Sequence, residues 1–229
     1  PLDSSRVLEV YSGADVSTVD REQIADMATD APPQSRRLDY AQGLRGLTLK
    51  GGFLNKLILD GHKAVENRSW IIPPGWYALH TGKGSMNASE HIKIVSLFDA
   101  ERAERNLQPS MENYWKCCNN GICGVVHISH ALPLDKMNGN RWATGPFCHV
   151  ISDVAFLNEP IPCLGALGLW KLTDEQIDNL NDQLSTMEFR STGHEQAFPP
   201  DDAALAAAKK RQSEERAKER REKKRAREM

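Results

Sequence analysis

No apolar run in this chain approaches the ~20 residues needed to span a bilayer, and the N-terminus has no signal-peptide hydrophobic stretch. The chain therefore reads as soluble and intracellular, nuclear or cytoplasmic, with no membrane partner. It begins at Pro1 rather than at a methionine, which leaves a cleaved upstream targeting segment, and so an organelle, open. Close CxxC-type pairs are also missing. The five cysteines, Cys117, Cys118, Cys123, Cys148 and Cys163, are odd in number and match no common zinc or disulfide spacing. Reduced, mostly buried thiols are expected, and neither a metal nor a cofactor is assigned. Cys117-Cys118-x4-Cys123 would need His127 or Cys148 as a further ligand, against the paired spacing of structural zinc sites. His127 and His130 fall on opposite faces of one strand, and they, His80 and His149 read as structural. A P-loop is absent too: Thr81-Gly82-Lys83-Gly84 exposes amides and a lysine that suit phosphate, but its spacing is that of an ordinary turn.

Charge is unevenly distributed. From Lys209 to Glu228 eleven Lys or Arg face five Glu, so this segment carries +6, and the net charge of -2 leaves -8 on the rest. From Asp201 onward there is no Gly or Pro, and the pattern is one continuous helix. On a 100° wheel Lys209, Arg216, Arg220, Lys223, Lys224 and Arg227 share an acid-free face, while pairs such as Glu214–Lys218 and Glu219–Lys223 stabilise the helix elsewhere. A segregated basic face favours nucleic acid over simple solvation. Residues 220–227 also read as a nuclear import signal.

Residues 1–43 are polar and broken by Pro32-Pro33, with a short helix expected over Val19–Met27. Strands are expected at 44–49, 61–70, 76–80, 122–132, 147–157 and 165–171. Phe53, Leu54, Leu57 and Ile58 keep helical spacing and stop at Gly61. Residues 91–107 read as a charged helix, 109–120 as a polar insertion, and Thr173 caps a helix running to about Met187. Residues 189–200 read as an irregular linker. Three parts follow: an N-terminal extension over 1–43, a folded domain over 44–190, and a linker with a basic helical tail over 191–229.

The run Gly61-His62-Lys63-Ala64-Val65-Glu66-Asn67-Arg68-Ser69-Trp70 puts four functional side chains in one short strand, with Glu66, Arg68 and Trp70 on one face if it is regular. Together with Gly75-Trp76-Tyr77-Ala78-Leu79-His80-Thr81-Gly82-Lys83-Gly84, Gly124-Val125-Val126, Trp142-Ala143-Thr144-Gly145-Pro146-Phe147 and Pro160-Ile161-Pro162-Cys163-Leu164-Gly165-Ala166-Leu167-Gly168-Leu169-Trp170, it resembles an ASCH domain of the PUA-like superfamily over residues 44–172. The resemblance implies an α+β fold: a PUA-like mixed β-barrel with flanking helices, here followed by the long charged C-terminal helix. It also implies a cleft that faces nucleic acid or a modified base. Some relatives are hydrolases of acylated cytidine. In those the matching lysine is followed three residues on by threonine, and a later strand supplies a glutamate. Here Glu66 and His127 stand at those positions.

The reading is an RNA-binding module within a ribonucleoprotein, whose cleft takes a nucleotide and whose tail holds phosphates. Lys63, Arg68, Trp70, Lys83, Trp142, Lys209, Arg216, Arg220, Lys223, Lys224 and Arg227 are the contact candidates, with Trp70 and Trp142 offered for stacking. Trp76 and Trp170 sit in apolar strands and read as core. The alternatives are a hydrolase, amidohydrolase or ribonuclease-like, with Lys63 and Glu66 as its acid–base pair, and a scaffold that docks protein partners through both extensions.

Overall fold

Phe53, Leu57 and Ile58 form the inward stripe of the first helix, α1 (Gly52–Leu59), which follows the first strand, β1 (Arg45–Lys50). The helix stops where its apolar spacing stops: Asp60 N–H bonds back to Lys56, Gly61 N–H to Ile58, and Gly61 takes φ +79°, a left-handed conformation that favours glycine. The structure, a computed structural model, describes residues 36–83, 87–104 and 120–228. The Val19–Met27 helix, nearly all of the 109–120 insertion, Cys117, Cys118 and the end of the glycine loop lie outside those residues.

The chain continues through β2 (Val65–Arg68), β3 (Gly75–Gly82), α2 (Ala88–Glu104), β4 (Gly121–Pro133) and β5 (Phe147–Pro162). It ends with β6 (Leu169–Lys171), α3 (Asp174–Leu184), β7 (Phe189–Ser191), α4 (His194–Ala197) and α5 (Asp202–Glu228). The strands form one seven-stranded mixed sheet in the order β2-β5-β4-β3-β1-β6, with β7 beside the middle of β5. Only β1 and β3 run parallel, in keeping with the crossover through α1 and β2 that joins them. The fold is α+β, as expected.

The sheet is not closed into a barrel. β2 and β6 are its ends, and they are short, at four and three residues. Three register shifts in β4 bend it, and one side chain, that of Arg68, reaches from β2 to β1, a strand with which β2 does not pair. Arg68, at the end of β2, donates through Nη2 to the Thr48 carbonyl at 3.0 Å, while Trp170 of β6 donates through Nε1 to the Thr48 hydroxyl at 3.0 Å. Gly46 opposite Trp170 permits this, because a Cβ there would lie 2.1 Å from the indole ring.

Two other expectations need correction. The 189–200 linker contains β7 and α4; elements of three and four residues are too short to show a hydrophobic period, and β7 is specified by its pairing with Asp153–Ala155. The core also begins upstream of residue 44: Leu38 and Ala41 are buried with Ile177 and Leu180 of α3, and Arg36 reaches the buried carboxylate of Asp153. The capping box on α3 forms as its sequence implies, with Thr173 and Gln176 satisfying each other's backbone amides.

Candidate nucleic-acid interface

Lys63, Glu66 and Arg68 form a buried ionic chain. Lys63 and Glu66 are only 5% and 7% exposed. The lysine Nζ lies 2.8 Å from Glu66 Oε2 and also donates to the Val65 carbonyl. Arg68 Nε lies 3.0 Å from Glu66 Oε1, an ion pair by distance without the alignment of a hydrogen bond, while its Nη2 holds Thr48. Both carboxylate oxygens thus face cations, and the group ties β2 across to β1. Glu66 and Arg68 share a strand face, as alternation requires.

Behind them the wholly buried His149 spans the strand and the turn after it. Its Nε2 accepts from the Ile72 N–H at 2.8 Å, so Nδ1 carries the proton and donates to the Glu66 carbonyl at 3.0 Å. Burial lowers the pKa of this ring below the ordinary histidine value, with Arg68 and Lys63 adding to the effect and Glu66 opposing it. Asn67, on the other face, organises the loop after Trp142: its Nδ2 donates to the Trp142 carbonyl, and its Oδ1 accepts the Thr144 and Gly145 amides. That loop turns Trp142 inward. The ring is 5% exposed and its Nε1 donates to Glu101 of α2 at 3.0 Å, which makes Trp142 core rather than a stacking platform.

β2 ends at Arg68, so Trp70 lies in the following turn, half-buried against the core. Here α5 docks. Its first residue is preceded by Asp201, which caps Ala204 N–H at 2.9 Å and pairs with Lys136; nearly three turns further on, Arg211 lies 3.6 Å from Asp135. The Ser69 carbonyl then accepts from both Gln212 Nε2 at 3.1 Å and Arg216 Nη2 at 3.0 Å. Between helix and turn runs a groove of about 670 Å³. Trp70, Ile71 and Phe147 line one side, and Lys209, Arg216 and Arg220 the other, with no acidic residue in the lining. None of these three cations is in an ion pair among the described residues.

The structure therefore brings Trp70 together with three of the six basic-face residues, far apart in the sequence. Lys223, Lys224 and Arg227 continue the same face of α5 beyond the groove and are exposed. Lys83 is exposed at the end of β3 and does not line the groove. Sequence reasoning missed Ser69, Ile71, Phe147, Gln212 and Ser213. A signal for the last two was present: Gln212, Ser213 and Ala217 are three of the four uncharged residues between Lys209 and Glu228, and all three line the groove.

Elsewhere the two histidines of β4 find local partners. His127 Nδ1 lies 2.8 Å from the Ser152 hydroxyl, and His130 Nε2 lies 2.8 Å from the Phe198 carbonyl. Cys123, Cys148 and Cys163 are unoxidised, burial raises the thiol pKa of the last two, and among the described residues no group of three or more His, Cys, Asp or Glu is placed to hold a metal. No described helix is long and apolar enough to cross a membrane. Compared with family models and with curated proteins, the sequence matches none.

Proposed function

We propose that the protein is an RNA-binding module of PUA-like type, whose interface is the groove between α5 and the Trp70 turn. The observation that carries this reading is the convergence of Lys209, Arg216 and Arg220, none of them in an ion pair, on an aromatic wall without an acid among the lining residues. Gathering like charges opposes folding unless an anion neutralises them, and RNA supplies both phosphates and planar bases. The bent sheet and the Arg68 contact from β2 to β1 support the PUA-like reading. Binding is preferred to hydrolysis because Lys63 and Glu66 are buried and their charged ends are engaged with each other and with Arg68.

The test is equilibrium binding of a labelled RNA oligonucleotide to the whole chain across a salt series. Binding should be tight near 50 mM salt and fall with a slope of log K against log salt of about -2 or steeper, since each phosphate contact contributes roughly 0.7 for a single strand. No binding at low salt would overturn the reading.

A further inference from the structure

A groove that held phosphates alone would be cationic on every side, and this one is not. Trp70, Ile71 and Phe147 give it an apolar, partly aromatic wall opposite the cationic wall of α5. Its volume of about 670 Å³ lies within the ~300–1,000 Å³ typical of small-ligand sites. A planar face opposite positive charge complements one nucleotide, with the base on one side and the phosphates on the other.

Trp70 is also held in position before any ligand arrives. The residue before it, Ser69, is anchored through its carbonyl by Gln212 and Arg216. Two residues on, Ile72 is anchored through its amide by His149. Preorganisation of this kind removes part of the ordering cost of binding. A duplex presents backbone and base edges, while its base faces are stacked against one another, so a ring set inside a groove cannot stack on them.

Resting on the RNA-binding reading, we propose that the groove is a socket for a single unpaired nucleotide. Its base stacks on Trp70, Arg216 and Arg220 hold the flanking phosphates, and the strand leaves along Lys223, Lys224 and Arg227. The ligand class is single-stranded RNA or an unpaired base within a folded RNA, and paired duplex is excluded. His149, Gln212 and the Glu66–Arg68 pair are positioning residues for the turn.

The test compares three ligands of equal length on the whole chain by fluorescence anisotropy: a single-stranded RNA, an oligonucleotide with the same backbone charge but abasic at every position, and a perfect duplex. The single strand should bind about tenfold or more tighter than the other two, as expected for one lost stack. Trp70→Ala should reduce single-strand affinity to the abasic level while the circular dichroism spectrum at the assay temperature stays that of the folded chain, with a lower melting temperature from the packing lost against the core, and Trp70→Phe should keep most of the preference. Equal affinity for all three ligands, with Trp70→Ala silent, would overturn the socket and leave RNA binding standing. Failure of all three to bind at low salt would overturn RNA binding itself. Heparin binding as tightly as the single strand would overturn the socket as a nucleotide site.

Discussion

Glu66 lies between two cations in a nearly dry setting, so Lys63 stabilises the fold before it can serve any ligand. Removing one partner of a buried pair costs about 3–5 kcal/mol, and because Arg68 remains beside Glu66, Lys63→Ala should fall near the lower figure. Urea denaturation measures this; an unchanged midpoint together with lost RNA affinity would move Lys63 to the ligand side. Acid should act through the histidines. Burial is the main cause that lowers the pKa values of His80, His127, His130 and His149. The unfolded chain therefore takes up protons first as pH falls, so stability is complete above about 6.5 and declines below it. His149 matters most within this group, because its Nε2 must stay unprotonated to accept from Ile72. The urea midpoint should be lower at pH 5.5 than at pH 7.5, and a flat profile would contradict the assignment. The alternation of Glu66 and Arg68 was legible in the sequence, whereas the fate of Trp142 was not. It is set by Asn67 gripping a loop 75 residues away, a contact with no local signature.

At the level of elements, α5 tests how helix and domain work together. Asp201 both caps the helix and pairs with Lys136, so Asp201→Ala should fray the first turn and lower RNA affinity by loosening the groove. Amide exchange at residues 202–205 would report it, and protection equal to that of the wild type would show that the cap is not needed. The long helix was legible from its unbroken composition, as was the basic face. Periodicity states which side chains share a face and not what that face meets. The acid-free stripe turns its first half toward Ser69 and Trp70 and projects its second half beyond them. β7 and α4 went unseen because elements that short are stabilised by their neighbours rather than by their own pattern, and an open sheet was not foreseeable because Arg68 and Trp170 meet at Thr48 only in three dimensions.

Across the whole molecule, the folded unit reaches from the segment at Arg36 to the base of α5. Removing residues 1–43 should lower stability by at least the ~1.5–3 kcal/mol of a buried leucine at position 38, with a further loss from the Asp153 carboxylate stripped of Arg36. A melting temperature unchanged by that truncation would mean the upstream strip adds nothing to the core. The most direct test of the central claim compares two charge-matched variants of the whole chain. One replaces Lys209, Arg216 and Arg220, which line the groove, with glutamine; the other replaces Lys210, Lys218 and Arg221, exposed residues of the same helix that do not line it. If the groove is the RNA interface, the first variant should lose single-strand affinity by tenfold or more and flatten the salt slope by about 2, while the second changes either only slightly. Equal losses in both variants would show that the helix acts as a diffuse positive rod and that the groove is not the interface.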